Sequence, residues 1–338
     1  MIETLQSKMS FDLLQRYRMA SELIEIVRKK KPLRILDVGS REGFLQSFLP
    51  EDVLINLDIS FFQGNSFLVG DLLSLPFSLD TFDISISLDV LEHVEPSKRR
   101  FLFDEMARVS RDFFIVGAPF NEEKVVEAEK LANEFHLKMS GKENMFLTEH
   151  IDFGLPDLKE VMIWLEEYKF QYVVLPNNYL PRWLIMICLS AYISRLPKAE
   201  ELISAVTNLY DHQFSKFDNR DPAYRQIIFI SKLGNLNKEM IYHRFASPEV
   251  PPEFHRQEWD FVNGILSELA LHHERVLLEI QEKNNELRNE KYEIQHQLEV
   301  EKDRYFRTRL ELEGIKGTFA YKLYQKTIGR AFNRSVPR

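Results

Sequence analysis

The sequence predicts an α/β fold, a doubly wound and mostly parallel sheet followed by a long C-terminal helix. Three observations carry this prediction. From residue 33 to about 119, short apolar runs alternate with amphipathic stretches, as parallel strands joined by crossover helices do. The first apolar run ends in a glycine turn, "RILDVGSREG". From about 258 to 313 there is no proline, charges are dense, and apolar residues recur at a 4-3 spacing.

Composition narrows the function. The 338 residues, 44% of them hydrophobic, are enough for one core plus an appendage or for two domains. A net charge of -8 argues against bulk nucleic-acid binding, which needs a basic surface. Cys188 is alone, so there is no disulfide framework and a reducing compartment is expected. The start, "MIETLQSKMSF", lacks the basic-then-apolar order of a signal peptide, and the longest apolar run, Trp183 to Ile193, is too short to span a bilayer. A cytoplasmic protein is expected.

In chain order, Phe11, Leu13, Leu14, Tyr17, Leu23, Ile24 and Val27 mark an amphipathic helix over 10–29 that ends near Pro32. "LRILDVG" is the first strand, and Phe44, Leu45, Phe48 and Leu49 predict a helix after it. "VLINLDIS" is a strand, "VGDLLSLPF" a loop, "FDISISLDV" a strand, "PSKRRFLFDEMARV" a helix and "DFFIVGAP" a strand. Residues 120–155 are weakly patterned and read as an insertion or lid. A helix over 157–168, the strand "QYVVLPN", a helical stretch from 181 to about 210 and the strand "RQIIFISKL" complete a domain of residues 1–235. Residues 236–257 contain "SPEVPPEF" and read as a linker. Over 258–316, His273, Leu277, Ile280, Asn284, Leu287, Lys291, Ile294, Leu298, Glu301, Tyr305, Thr308 and Leu312 form a heptad seam. It predicts a coiled coil and a homo-oligomer.

The turn lacks two glycines of a dinucleotide-binding G-x-G-x-x-G, which disfavours a nicotinamide oxidoreductase. "DVGSREG" instead resembles the D-x-G-x-G-x-G motif of class I S-adenosylmethionine-dependent methyltransferases, keeping Asp37, Gly39 and Gly43 with Arg41 in place of the middle glycine. "NLDIS", "VGDLLSLPF" and "FDISISLDVLEHV" resemble the family's next three motifs in order, the last as in its small-molecule, type 11-like branch. The resemblance covers roughly residues 33–119. It implies the seven-stranded class I methyltransferase fold and S-adenosylmethionine as cofactor. It further implies cofactor contacts from Asp37, Gly39, Ser40, Arg41, Gly43, Asp58, Ile59, Asp71, Leu72 and Leu88. Asp58 would accept from the ribose hydroxyls, Asp71 from the adenine amino group, and Leu72 would offer its main-chain N–H to the ring. Taken singly, Asp58 and Asp71 read better as carboxylates that cap a turn or helix; in order with the glycine turn they read as cofactor contacts.

Methyl transfer from a sulfonium is an in-line displacement, so the enzyme aligns the acceptor and removes its proton. His93, after the fourth strand, and Glu149 and His150, in "LTEHIDFGLPDL", are the catalytic candidates; Glu92 and His93 also suit a structural role in the turn. His272 and His273 point in different directions from the long helix, and no metal site is assigned. The segment 178–225 resembles methyltransferases of bacterial surface-polysaccharide systems. This implies a hydroxyl or terminal phosphate of a glycan, or of a lipid-linked glycan, as acceptor. Tyr179, Trp183 and Tyr192 suit either sugar stacking or plain core. Residues 317–338 carry five basic residues and no acid, a pattern suited to an anionic membrane surface, so a peripheral location on the inner face of the membrane is the second expectation. The rival to an enzyme is a degenerate methyltransferase fold that scaffolds a polysaccharide assembly complex through its coiled coil, a reading that Arg41 favours.

Overall fold

The computed structural model describes residues 9–29, 32–40, 43–60, 66–248 and 254–332. The chain divides into two compact units, Met1–Ala270 and Leu271–Arg338.

The first unit begins with α1 (Phe11–Val27), capped by Ser10, whose side chain accepts from the Leu13 N–H. β1 (Arg34–Val38), β2 (Val53–Asp58), β3 (Phe67–Val69) and β4 (Phe82–Leu88) follow, then α2 (Arg99–Val109) and β5 (Ser110–Ala118). Next come α3 (Glu123–Ser140), α4 (Met145–Phe153), α5 (Leu158–Glu167) and β6 (Gln171–Tyr179). α6 (Leu180–Ile193), α7 (Ala199–Gln213), β7 (Ala223–Ser231) and α8 (Lys238–Phe245) close the series. The seven strands lie in the order β3-β2-β1-β4-β5-β7-β6. β7 runs antiparallel to both neighbours, and the remaining pairs are parallel.

Alternate strand residues feed two cores. Ile35, Ile84, Ile86, Ile115 and Phe229 pack with α1 on one face. Leu36, Val38, Phe114, Ile228 and Ile230 pack with α2 and α5 on the other. Burial on both faces explains why these strands read as continuous apolar runs. A third core, with Phe11, Val125, Trp183, Val206 and Tyr210, joins α3, α6 and α7, which leave or enter the sheet where the parallel strands end.

Four expectations change. The helix expected after β1 is a single 3-10 turn, Phe44–Ser47. Phe44, Leu45 and Leu49 are buried as their spacing implied, but Pro50 and the start of β2 at Val53 leave no room for a longer helix. The segment read as the loop "VGDLLSLPF" is preceded by β3, which supplies the seventh strand. Residues 120–155, read as a weakly patterned insertion or lid, fold as α3 and α4, because Val125, Ala128 and Ala132 form a buried stripe and Gly141, with φ +74°, ends α3 in the left-handed region. The expected linker 236–257 carries α8, with Ile241 and Phe245 in the first core, while residues 249–253 lie outside the described residues.

α9 (Phe254–Gly317) is one helix of 64 residues, and α10 (Phe319–Phe332) follows it. In the second unit Leu277, Ile280, Leu287, Ile294, Leu298 and Leu312 are exposed in the single chain. Among the described residues no helix is long and apolar enough to cross a membrane.

Candidate active site

β1, β2 and β4 run in register, with Val38 beside Leu57 and Ser87, so their carboxyl ends open on one edge. The order of successive strands reverses between β1 and β4, and such a switch point leaves a ligand-binding crevice above the strand ends.

The glycine turn lines this crevice. Gly39 has φ +78° and donates its N–H to the Leu57 carbonyl at 2.7 Å. A Cβ on it would stand 2.2 Å from Val90 Cγ2. Gly43 has φ +66°, and a Cβ there would stand 3.0 Å from Asn56 Nδ2, while buried Ser40 donates to Asn56 Oδ1 at 3.1 Å. Arg41, the residue that departs from the motif, lies outside the described residues. Asp37 is buried at the end of β1, and its Oδ2 meets no partner among the described residues. Burial lifts its carboxyl to about 7 against the opposing pull of Ser40, Arg16 and Tyr17.

A raised carboxyl holds its proton more tightly in the folded than in the unfolded chain. Its stabilising contribution is complete below about pH 4 and is lost as pH rises toward 7. Asp37→Asn is therefore expected to raise the thermal midpoint of the ligand-free protein at pH 8 and to change it far less at pH 4. Equal shifts at both pH values would remove Asp37 as the cause.

Asp58 ends β2, and its Oδ1 accepts from the Ser60 N–H at 2.9 Å. Asp71 Oδ1 accepts from the Leu73 N–H at 2.9 Å. Each thus caps a turn two residues on, which fixes the carboxylate and leaves it near the surface. Ile59 is 73% exposed, Leu72 is half-buried against the second core, and the Leu88 side chain lies in the first core. S-adenosylmethionine fits this constellation. The left-handed glycines clear main chain for close approach, and Asp37 brings a buried oxygen without a donor.

A second cluster stands after β4. Asp89, with φ +55°, turns the chain into a 3-10 turn, Leu91–His93. His93 Nδ1 lies 2.8 Å from Glu149 Oε2, and Phe146 meets its ring edge-on. His150, buried on α4, has its Nδ1 2.8 Å from Glu129 Oε1, which also accepts from the Tyr224 hydroxyl at 2.9 Å. The two Nε2 atoms stand 3.4 Å apart. All three catalytic candidates are thus brought together, although His93 and His150 are 57 positions apart. Burial, and next the neighbouring His150, lower the His93 pKa against Glu149. Burial, and next Asp89, push Glu92 well above the carboxylate range.

Sequence reading missed Glu129, Tyr224 and the ion-pair group below them. Arg225 Nη2 donates to Asp12 Oδ1 at 2.7 Å and Asp89 Oδ2 at 2.6 Å, and Nε donates to Asp89 Oδ1 at 2.8 Å; Arg16 also pairs with Asp89. Burial would raise Asp89, but Arg225 and Arg16 outweigh it and hold the carboxyl low. An arginine inside an apolar strand was the available signal. Trp183 is core, stacked on Tyr224 at 3.7 Å, Tyr179 lies under Arg220, and Tyr192 is exposed.

The family model described as a methyltransferase domain matches residues 36–112, from β1 into β5. No curated protein matches the chain. Similar solved structures include the YcgJ protein of Bacillus subtilis, 17% identical over 64% of this chain and 98% of that one, with a TM-score of 0.39. The PH0226 protein of Pyrococcus horikoshii is 17% identical over 64% and 91%, with a TM-score of 0.37. Magnesium protoporphyrin IX methyltransferase of Synechocystis, with bound SAH, is 12% identical over 64% and 82%, with a TM-score of 0.40.

Proposed function

We propose that this chain, whose residues 36–112 match a methyltransferase domain and whose cofactor is S-adenosylmethionine, transfers the methyl group to oxygen. The proposed acceptor is a hydroxyl or terminal phosphate of a bacterial cell-surface glycan or its lipid-linked precursor. The observation that carries this reading is His93. It stands half-buried on the first turn after β4, on the strand edge that also holds Gly39 and Asp58, with Glu149 on its Nδ1. An acceptor hydroxyl must lose a proton as it attacks, and a cluster of imidazoles and carboxylates on this strand edge supports that chemistry there.

When bound, S-adenosylmethionine supplies an electrophilic methyl group on a good leaving group. The Gly39–Gly43 turn would hold its methionine part, Asp58 the ribose hydroxyls, and Asp71 with the Leu72 N–H the adenine. α3, α4 and α6 sit over the same edge and would limit water. Asp58→Ala is expected to weaken S-adenosylmethionine by about 1.5–3 kcal/mol in a calorimetric titration, the loss of a charge-assisted bond. It is also expected to slow methyl transfer to hydroxyl- and phosphate-terminated oligosaccharides. Unchanged affinity in a folded variant removes Asp58 from the pocket. Transfer to none of the oligosaccharides by a chain that binds the cofactor overturns the glycan reading.

The exposed heptad residues of α9 support self-association, and the basic tail after Gly317 supports attachment to an anionic inner membrane face. Two deletions test these parts. A chain ending at Ala270 is expected to be monomeric in light scattering where the full chain is not. A chain lacking 317–338 is expected to lose co-sedimentation with anionic liposomes at low salt. Identical behaviour of full and shortened chains sinks the corresponding role.

A further inference from the structure

The hydrogen-bond arithmetic of the histidine pair does not close within the protein. His93 gives its Nδ1 to Glu149, and His150 gives its Nδ1 to Glu129, each at 2.8 Å. An ionised carboxylate only accepts, so both Nδ1 atoms carry the hydrogen, and in neutral imidazoles both Nε2 atoms present lone pairs. Those lone pairs face each other across 3.4 Å. Beside them is Glu92, 1% exposed, with neither carboxylate oxygen meeting a donor from another described residue. One ligand atom from each of Glu92, His93 and His150 lies within 4.8 Å of the other two. We propose that these three side chains bind a divalent first-row transition ion, with Glu129 and Glu149 as the carboxylates that aim the two imidazoles.

Several features agree with this assignment. Two nitrogens on one ion with bonds of about 2.1 Å stand about 3.4 Å apart in a tetrahedral site, so the pair is already spaced for a shared ion. A divalent charge compensates the Glu92 carboxylate, which no cation among the described residues contacts by hydrogen bond. Imidazoles whose far nitrogens donate to carboxylates are the usual form of metal-bound histidine, since the carboxylate fixes the tautomer and raises ligand basicity. Glu129 is itself held by the Tyr224 hydroxyl at 2.9 Å, so the His150 side of the site is rigid. A set of two nitrogens and one carboxylate suits zinc, iron, manganese or cobalt better than magnesium or calcium, which prefer all-oxygen sites.

Three protein ligands leave further positions on the ion open. Resting on the reading of an oxygen acceptor, the ion is the place where that oxygen binds and is made acidic enough to give its proton to solvent water, with His93 a positioning ligand rather than the proton acceptor. The sequence concealed this because the two histidines come from different elements and Glu92 looks like an ordinary turn acid.

The full chain, stripped with chelator and dialysed, is titrated with Co2+ and followed by visible absorption and equilibrium dialysis. The expected result is one Co2+ per chain, displaced by Zn2+ and not by an equal concentration of Mg2+. Glu92→Gln, which keeps volume and removes the carboxylate ligand, is expected to weaken Co2+ at least tenfold. His150→Ala is expected to weaken it a hundredfold, with circular dichroism verifying the fold. Asp58→Ala is expected to bind Co2+ as the wild type does. No stoichiometric uptake by the wild type, or uptake unchanged in Glu92→Gln, overturns the site and leaves a shared proton between the imidazoles. A chain that binds S-adenosylmethionine but no Co2+ overturns this inference alone. One that binds Co2+ yet methylates no oxygen acceptor overturns the functional reading and leaves the metal site standing.

Discussion

Replacing Arg225 by methionine is expected to lower the unfolding free energy of the ligand-free protein by about 3–5 kcal/mol, the scale for breaking a buried ion pair by removing one partner. All nine residues of β7 are buried, and the Arg225 side chain is inaccessible to solvent. Its guanidinium bridges Asp12 on α1 to Asp89 after β4 and donates to Asn177 Oδ1 at 3.1 Å on β6. Methionine matches the length of the stem and fills the space, so the loss is electrostatic rather than a cavity. Asp89 would keep Arg16, but it would face the desolvation that Arg225 now offsets. The sign with pH follows. A carboxyl held low contributes stability above its unfolded pKa and loses it as pH falls, so the variant should differ most from wild type near neutrality and least in acid. Urea unfolding at pH 7 and pH 2 measures both. A loss below about 1 kcal/mol at pH 7 would mean that the carboxylates repartner, and Asp89→Asn in the same chain should recover part of any larger loss.

That ion-pair group shows where sequence reading stops. β1, β4 and β5 were legible because burial on both faces makes them unbroken apolar runs, and the glycine turn was legible because φ +78° and +66° need glycine. The direction of β7 was not legible. A strand buried on both faces has the same pattern in either direction, and here it is inserted antiparallel between β5 and β6. β3 escaped because three residues at a sheet edge, largely exposed, carry no period. α3 was hidden by the small size of its stripe, two of whose residues, Ala128 and Ala132, stand among charges. His93, His150 and Glu149 were singled out by their motifs. Glu129 sits on a helix with several other glutamates, and no spacing separates it from them. Tyr224 lies 95 positions from it and joins it only through the fold.

Gly39→Ala is expected to weaken S-adenosylmethionine ten- to hundredfold, for two separable reasons. A left-handed φ of +78° costs a residue bearing a Cβ about 1–2 kcal/mol. The Cβ itself would lie 2.2 Å from Val90 Cγ2, and Val90 is buried in the second core, so it yields only by displacing packed neighbours. The turn is the softer partner. It moves toward the crevice, and main chain takes the space intended for the methionine part of the cofactor. Val90→Ala removes both Cγ atoms and leaves the nearest Val90 carbon, Cβ, at 3.3 Å from the new methyl. The double variant should therefore bind better than Gly39→Ala alone while remaining weaker than Val90→Ala, the difference being the dihedral cost. Calorimetric titration of the four proteins closes the cycle. Recovery that is absent would put the whole effect in the backbone dihedral. Unchanged affinity in a folded Gly39→Ala protein would show that the turn does not approach the cofactor.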